Sequence, residues 1–467
     1  MSLSLPCLVK RGSMVRSRSL TFIVLIVLAG VFTGLFLARC PGPKPSADSG
    51  LEAPKSPEAA ETTPSATIGE TADSLSADEL LHPGLSRNAL PPGAIEGERI
   101  LRFHSLEDYA AYQSALRRAG EKPLGRIDAL LALRVEEEAL ARVDPGSYRG
   151  EIDFAYVIDR PQPMPEDGPS ISGLRPFARS AREIAGGLPA GDGTGVLIAL
   201  LDSGLLPHPV LDSVTVSMVD LADPAATASG PGSHGTSVAS ILTGPSGLAP
   251  AAELLSLRVL DEAGEGNSFH LAEGIVRSVE AGAAVINMSL GTYTDTGLLR
   301  EAVAYAAERG VLMVAAAGND RFDRLPWPAA YDEVLAVTAV DADAWQASFA
   351  NQSASIDFAA PGVGVLAAGA DGGTILFSGT SAAAPFVSGT LASLLSAPEA
   401  PSAEVVLARL RGQLNDAGAP GRDPLFGAGL LDWERLRHQA ESDRLDVALS
   451  GIHLAAEALP GTNVPVE

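Results

Sequence analysis

The sequence predicts an α/β fold: a mainly parallel sheet with helices on both faces, accompanied by a small α+β domain. Continuous apolar runs are typical of strands buried on both faces of a parallel sheet, and here such runs alternate with segments of helical periodicity. The strands are expected at 196–201, 283–290, 311–317 and 334–340, and the helices between them at 269–282 and 297–310. In such sheets, functional side chains gather beyond the carboxyl ends of the strands.

Length and composition bound the domain organisation and the partners. A chain of 467 residues exceeds what one core usually organises, so we expect a main domain with accessory segments. The net charge of -24 argues against a nucleic-acid partner, because phosphate backbones are bound by basic surfaces. The two cysteines, Cys7 and Cys40, both precede the predicted sheet, which therefore offers neither a thiol nucleophile nor a cysteine zinc site.

The N-terminal segments indicate export. A basic segment, 1–19, precedes an uncharged apolar run at 20–38, and this asymmetry places the N-terminus in the cytoplasm and the rest of the chain outside. The run is a signal anchor, and thus a membrane contact, or a cleaved signal peptide. We favour the anchor, because the run is long and no small-residue cleavage site follows it closely. Lipidation at Cys40 is a third interpretation, which Arg39 disfavours because the lipoprotein motif wants a small residue there.

The exported part divides into a linker and two domains. Residues 39–95 are rich in Pro, Ser and Ala without apolar periodicity, which is typical of a disordered linker. Residues 96–165 predict a small β-α-β-α-β domain, and 185–435 contain the larger α/β domain, followed by a C-terminal helix and tail at 436–467. The elements of the small domain are expected at 99–104 (strand), 105–120 (helix, with Ser105 as N-cap and Gly120 as stop), 124–136 (strand), 136–143 (helix) and 151–158 (strand).

Four polar residues lie at predicted strand ends or helix starts. Asp202 closes the first apolar run, and Asn319 follows the third. His234 and Ser381 open segments of small residues that continue as helices, and Pro385 is expected in the first turn of the helix after Ser381. Taken singly, each has an ordinary explanation as a turn residue, a helix cap or a structural histidine. Taken together, the order Asp, His, Ser on an α/β sheet matches one of the known orders of a catalytic triad.

The motifs around these residues resemble those of the subtilisin-like serine peptidases. LLDSGLLPHPVL resembles the family's Asp motif, HGTSVAS its His motif and SGTSAAAP its Ser motif. VINMSLG is similar to the substrate-binding strand and AAAGN to the oxyanion motif, with APG at 360–362 and GAGLLD at 427–432 as later landmarks. The resemblance covers 191–433. Ser237 replaces the family's second His and Ala382 its common Met, and neither departure removes a catalytic group.

The resemblance implies a serine endopeptidase that works through an acyl-enzyme. It assigns Ser381 as the nucleophile, His234 as the general base and acid, and Asp202 as the carboxylate that orients His234. Asn319 would donate to the oxyanion. The polypeptide substrate would pair with two backbone walls, formed by Ser289, Leu290 and Gly291 and by Gly264 and Gly266.

The resemblance also bears on regulation and cofactors. The domain at 96–165 is similar in pattern to the family's propeptide, which assists folding and acts as an intramolecular inhibitor until it is cut away. No cofactor is expected, because the segment after His234 is too short for the calcium loop of many relatives. Two interpretations fit Asp320, Asp323, Asp341 and Asp343: a cation site and, the one we favour, a solvated acidic surface. Two alternatives of the same fold stay open: a peptide-processing or ligating, macrocyclase-like enzyme and a non-catalytic peptide-binding pseudopeptidase.

Overall fold

The computed structural model describes residues 90–143, 148–160, 172–222, 233–261, 263–399 and 401–438. The predicted anchor at 20–38, nearly all of the linker at 39–95 and most of the tail at 436–467 lie outside the described residues. Among the helices in the described ranges, none has the length and apolar character needed to cross a bilayer. All described residues belong to one compact unit of the chain.

An N-terminal domain, residues 94–160, is built around an antiparallel sheet. Its strands are β1 (Ala94–Phe103), β2 (Gly125–Ile127), β3 (Ala132–Glu136) and β4 (Gly150–Asp159), in the order β2-β3-β1-β4, and its helices are α1 (Leu106–Ala119), α2 (Glu137–Arg142) and a 3₁₀ turn (Asp128–Leu130). The predicted caps of α1 are confirmed. The Ser105 hydroxyl accepts from the Asp108 N–H at 3.1 Å, and Gly120 ends the helix with φ +79°, a conformation that glycine adopts without strain.

The prediction of a single strand at 124–136 is wrong. The segment forms β2 and β3, which pair antiparallel after the 3₁₀ turn. Leu131 reverses the chain with φ +48°, in the left-handed region. The apolar run had suggested continuity, but it contains the turn of a hairpin, and the domain is therefore β-α-β-β-α-β.

The large domain, residues 172–438, has a mainly parallel main sheet and further strands outside that sheet. Its strands are β5 (Leu197–Asp202), β6 (Val216–Asp220), β7 (Glu253–Arg258), β8 (Glu265–Asn267), β9 (Val285–Met288), β10 (Leu312–Ala316), β11 (Val334–Val340), β12 (Phe358–Pro361), β13 (Val365–Ala368), β14 (Thr374–Phe377), β15 (Leu414–Asn415) and β16 (Leu430–Leu431). The main sheet has the order β15-β16-β12-β11-β10-β9-β5-β7-β6, and every neighbouring pair except β15–β16 is parallel. The pair β13–β14 forms a separate antiparallel ribbon.

Helices cover both faces of the main sheet. They are α3 (Ala181–Ile184), α4 (Ser233–Leu242), α5 (Ser268–Glu280), α6 (Gly297–Ala307), α7 (Thr380–Leu395), α8 (Ala403–Arg411) and α9 (Trp433–His438), with a 3₁₀ turn at Pro209–Leu211. Alternate residues of β5 enter two different apolar clusters: Leu200 packs with α4 and α7, and Leu201 packs with α5 and α6. The predicted fold class is confirmed, and the apolar runs are continuous because the strands are buried on both sides.

Candidate active site

Asp202 and His234 meet at the carboxyl edge of the main sheet. Asp202 is the last residue of β5 and is 0% exposed; His234 lies in the first turn of α4. His234 Nδ1 donates to Asp202 Oδ1 at 2.8 Å and lies 3.0 Å from Oδ2. Asp202 Oδ1 also accepts from the Ser203 N–H at 2.7 Å. An ionised carboxylate can only accept, so this pairing places the proton on Nδ1 and leaves Nε2 of a neutral ring as an acceptor.

The imidazole ring of His234 is also held from the side. Phe377, at the end of β14, meets it edge to face, with ring centroids 5.5 Å apart and an interplanar angle of 78°. An aromatic edge against a ring face is a favoured arrangement, and it limits rotation of the imidazole about its own axis. Phe377 lies four residues before Ser381 in the sequence, so one segment carries both this packing residue and the candidate nucleophile.

Gly235 permits the close approach of α4 to β5, and its replacement gives a first test of the site. A Cβ there would lie closer than 3.0 Å to the Gly204 carbonyl oxygen and 3.2 Å from Asp202 Oδ1, so the backbone would have to move. Gly235→Ala should lower kcat at least about tenfold, since a 1 Å displacement of a catalytic group can cost about 100-fold. The free energy of unfolding should fall by about 1–3 kcal/mol. Peptide hydrolysis and urea denaturation measure the two effects.

A glycine replacement without such a contact is the control for this variant. Gly412 ends α8 on the surface, where an added Cβ would make only ordinary contacts of 3.4 Å or more. Gly412→Ala should therefore keep the wild-type kcat. A Gly235→Ala enzyme with wild-type kcat would show that the approach of α4 to β5 does not position His234.

Ser381 lies inside α7 and does not cap it. The N-cap is Gly379, which has φ +138° and no side-chain cap bond, and Ser381 is the second helical residue. The Ser381 hydroxyl donates to the Ser289 carbonyl at 3.4 Å, the long limit of a hydrogen bond. The capping explanation is thus excluded for this hydroxyl, which lies at the edge of the sheet beyond β9.

Pro385 occupies a different position from the expected one. It lies within α7 rather than in the first turn, four residues after Ser381. Proline has no N–H, so the Ser381 carbonyl lacks the usual helical donor. The Ser289 hydroxyl donates to that carbonyl instead, at 3.3 Å, and also accepts from Asn287 Nδ2 at 3.1 Å. The proline therefore opens the helix to a side-chain bond that fastens Ser381 to the end of β9.

Asn319 lies next to Ser381 through Thr380. Its Oδ1 accepts from the Thr380 N–H at 3.0 Å and from the Thr380 hydroxyl at 2.9 Å. A Cβ on Gly379 would lie 3.1 Å from Asn319 Nδ2, so the amide nitrogen is on the side of the turn that leads into Ser381. This orientation suits donation to an oxygen bound beside Ser381.

The predicted substrate walls hold the last strand of the N-terminal domain. β4 pairs antiparallel with β8, with Ile158 opposite Gly266, and Arg160 N–H donates to the Gly264 carbonyl at 3.2 Å. On the other side, Asp159 and Gly291 exchange two backbone hydrogen bonds of 2.9 and 2.8 Å. Ser289 and Leu290 are fully buried beneath this pairing. An extended chain in the groove between β8 and the segment after β9 is therefore hydrogen-bonded along both of its edges.

The charge around Asp159 is negative. Partial burial raises the pKa of its carboxyl, and the carboxylates of Glu265, Asp320 and Asp261 raise it further. Of the acidic residues named from the sequence, Asp320 and Asp341 are held by hydrogen bonds, and the solvated position expected of Asp341 is wrong. Asp320 accepts from the Tyr293 hydroxyl at 2.6 Å, and Asp341 is buried and accepts backbone N–H bonds. Within the described ranges, no group of three or more His, Cys, Asp or Glu side chains is arranged to hold a metal ion.

Sequence reasoning missed some residues that shape this site. Thr380 orients the Asn319 amide, and Phe377 packs against His234. Both stand inside or beside the quoted Ser motif, and this position in the sequence is the signal that indicates them. Asn351 bonds the backbone around Asn319 but lies in a distant loop with no motif of its own. Contacts of that kind depend on loop packing.

The sequence matches a family in the region that carries these contacts. Residues 193–429, just over half of the chain, match the model described as the subtilase family. The chain belongs to the subtilase family. The four candidate residues Asp202, His234, Asn319 and Ser381 all fall within the matched region.

Relatives of this subtilase include proteases named as extracellular and as thermophilic. Subtilisin Savinase of Lederbergia lenta is 36% identical over 249 residues, which cover 52% of this chain and 90% of that protein. Minor extracellular protease Epr of Bacillus subtilis is 34% identical over 257 residues, covering 52% of this chain and 38% of Epr. A thermophilic serine proteinase of Bacillus sp. is 38% identical over 211 residues, covering 44% and 53%. The subtilase thus spans about half or less of the length of the latter two.

Among solved structures, this subtilase is similar to fervidolysin from Fervidobacterium pennivorans, described as a keratinolytic enzyme related to subtilisin. The TM-score is 0.62 at 23% identity, and the match covers 74% of this chain and 62% of fervidolysin. At this identity the likeness shows the fold.

Proposed function

We propose that this subtilase is a serine endopeptidase whose nucleophile is Ser381. The observation that carries the proposal is the hydrogen bond from His234 Nδ1 to Asp202 at 2.8 Å, in a chain whose Ser381 and Asn319 lie together at the same sheet edge. That bond leaves His234 Nε2 as the ring atom able to accept a proton. Subtilase relatives named as proteases support the same reaction.

In the proposed mechanism, the Ser381 oxygen attacks the scissile carbonyl carbon while its proton passes to His234 Nε2. The carbonyl oxygen becomes an oxyanion, to which the Asn319 amide donates. The C–N bond then breaks, and His234 gives the proton to the leaving amine, which leaves an ester on Ser381. Water then loses a proton to His234 and attacks the ester carbon. The C–O bond to Ser381 breaks, His234 returns the proton to the Ser381 oxygen, and the acid product leaves. Asp202, buried and ionised, stabilises the imidazolium that forms in both steps.

We further propose that the N-terminal domain is the inhibitory propeptide of a zymogen. β4 supports this, because it occupies the groove as an extended substrate would, pairing with Gly266 on one edge and Gly291 on the other, and the next residue, Arg160, bonds Gly264. Main-chain pairing of this kind recognises any extended peptide, while side-chain pockets add selectivity. Ile158 is fully buried beside Gly266, so the groove accepts an apolar side chain there.

Export of the peptidase is proposed from the sequence. The basic segment and the apolar run at 20–38 support delivery across a membrane, with the run retained as an anchor or removed. The relative Epr, named as an extracellular protease, supports the extracytoplasmic side. If the run is retained as an anchor, cutting away the N-terminal domain would free the peptidase from the membrane. Immunoblots of membrane and soluble fractions test this release, and an active full-length protein confined to the membrane would contradict it.

A fluorophosphonate probe tests the proposed function directly. The probe reacts covalently with an activated serine, so the mature wild-type enzyme should be labelled and Ser381→Ala should not. Mass spectrometry of peptide products should show hydrolysed ends. Absence of labelling in the mature wild type would overturn the enzyme proposal and favour a peptide-binding protein, and joined products would indicate a ligating enzyme.

A further inference from the structure

Asn351 is a buried residue outside the motifs, in the loop between β11 and β12. It is 0% exposed, and its amide makes as many hydrogen bonds as an amide can. Oδ1 accepts from the N–H groups of Asp320 and Phe322, each at 3.0 Å. Nδ2 donates to the Ala317 carbonyl at 2.9 Å and to the Tyr293 hydroxyl at 2.7 Å. The orientation of the amide follows from its partners, because a backbone N–H only donates and a carbonyl only accepts.

These bonds converge on the segment that carries Asn319. Asn351 bonds the Ala317 carbonyl before Asn319 and two N–H groups after it. The Asn351 backbone N–H adds a bond to the Gly318 carbonyl at 3.0 Å. The backbone is therefore held on both sides of Asn319 by one residue.

The conformation held in this way includes one residue whose own preference opposes it. Arg321 lies between the two N–H groups that Asn351 receives, and its φ of +59° is rare for a residue other than glycine. Such backbone persists where the surrounding structure supplies compensating bonds, and here Asn351 supplies them. Gly318 adopts its φ of +96° without strain, and it lets the Asn351 amide approach, because a Cβ there would come closer than 3.0 Å to Nδ2.

We propose that Asn351 is a positioning residue for the oxyanion site: it holds the backbone of Asn319 so that the amide is aimed before the tetrahedral intermediate forms. The inference rests on the proposed function, in which Asn319 donates to the oxyanion. Thr380 fixes the amide group of Asn319, and Asn351 fixes the backbone that carries it. Preorganised donors stabilise developing charge because they need not reorient during the reaction.

The groove walls give this role a distinctive kinetic signature. Gly264 and Gly266 lie at β8 and Gly291 after β9, and none of the Asn351 hydrogen bonds reaches them. Loss of Asn351 should therefore weaken transition-state binding without weakening ground-state binding of a peptide. A general loss of structure would affect both.

A double-mutant cycle tests the inference. Each variant is expressed as the full chain and assayed after the N-terminal domain has been cut away. The substrate is a peptide anilide selected from a library, and the probe of the transition state is the boronic acid of the same peptide. In subtilisin, loss of an oxyanion donor lowers kcat about 10²–10³-fold, and we expect Asn319→Ala to do the same here. We expect Asn351→Ala to lower kcat about 10–100-fold. Affinity for the boronic acid should fall in parallel, while KM should change less than about threefold. In the Asn319→Ala background, Asn351→Ala should change kcat less than about threefold.

The outcomes distinguish failure of this inference from failure of the proposed function. An equal loss of kcat in both backgrounds would show that Asn351 does not act through Asn319 and would overturn the inference. Retention of full turnover by Ser381→Ala would instead overturn the proposed function. Thr390→Val is the control: it removes the buried hydroxyl that accepts from Trp433 at 2.9 Å, and it should lower Tm without separating kcat from KM. If Asn351→Ala does not fold, Asn351→Asp, which keeps both acceptor bonds to the segment, takes its place in the cycle and is judged by the same criterion.

Discussion

Replacing Ser381 with alanine is expected to lower kcat by about 10⁶-fold, the factor that loss of the corresponding nucleophile causes in subtilisin, a member of the same family. The substitution removes the enzyme atom that bonds to the substrate carbon in the proposed mechanism. It should hardly affect folding, because the hydroxyl makes a hydrogen bond at the 3.4 Å limit. The full chain should therefore accumulate with β4 still in the groove. Peptide hydrolysis, thermal unfolding and gel analysis of the purified protein measure these three expectations.

Ser378 provides the matched control for this variant. It belongs to the same motif and is buried, but its hydroxyl accepts from the Gly364 N–H at 2.8 Å and has no part in the proposed mechanism. Ser378→Ala should be processed and active. Adding trace wild-type enzyme to Ser381→Ala should restore cleavage in trans, which would show that the variant presents an intact processing site. An active Ser381→Ala enzyme would contradict the assignment of the nucleophile.

The elements that the sequence predicted best are those set by burial alone. β5, β9, β10 and β11 lie within or at the edges of the predicted apolar runs, because a strand covered on both faces has no polar position to interrupt it. Asp202 was also predicted at the end of a strand and His234 at the start of a helix, and both lie there. Local patterns were sufficient for both.

Turns within apolar segments were predicted poorly. The run at 124–136 contains a hairpin whose reversal depends on Leu131 in the left-handed region, and a leucine carries no turn signal. Pro385 was expected in the first turn of its helix and lies deeper, where its missing N–H is offset by the Ser289 hydroxyl. In each case the deciding contact comes from the tertiary structure.

The hydrogen bonds that hold the backbone on either side of Asn319 could not be predicted from the sequence. Asn351 follows it by about thirty residues in an irregular loop, and only the folded chain shows that its amide reaches both sides of the segment. The same holds for the groove. Glycines at 264, 266 and 291 were assigned from the resemblance, but their pairing with β4 required the two domains to be seen together.

Acidification is expected to weaken the binding of the N-terminal domain through His270. This residue lies in α5 of the large domain, and Arg134 Nη1 of β3 donates to its Nε2 at 2.9 Å across the interface. Arginine can only donate, so the ring must be neutral. Burial and then the Arg134 charge lower the pKa of His270 from 6.5 to about 4, against a smaller opposing effect of Asp220. Asp220 is itself paired with Arg258 at 2.7 Å, and Arg134 lies 3.6 Å from Glu98.

The N-terminal domain binds the neutral form of His270, and this determines the direction of the effect. Once the N-terminal domain leaves, the His270 pKa should return toward 6.5, so binding is strongest above pH 6.5 and weakens as the pH falls toward 4. The dissociation constant should rise by up to about 300-fold over that interval, since each unit of pKa difference is worth a factor of ten. Size-exclusion chromatography of the processed complex from pH 7.5 to 4.5 measures it without relying on activity, which itself varies with pH.

Asp159 should oppose this trend, and the two residues can be separated by substitution. Its pKa is raised in the complex, so its contribution is present at low pH and is lost as the pH rises above 3.8. Asp159→Asn should therefore steepen the weakening on acidification, and His270→Gln, which keeps an acceptor for Arg134 but does not titrate, should abolish or reverse it. His208→Gln is the control, since His208 bonds the Gly373 carbonyl within the large domain at 2.9 Å and should leave the profile unchanged. A His270→Gln complex that still weakens as much as wild type between pH 6.5 and 4 would assign the pH dependence to another group. His270 stays in the large domain while Arg134 leaves with the N-terminal domain. At acidic pH the released large domain therefore carries a protonated His270, and this form disfavours rebinding.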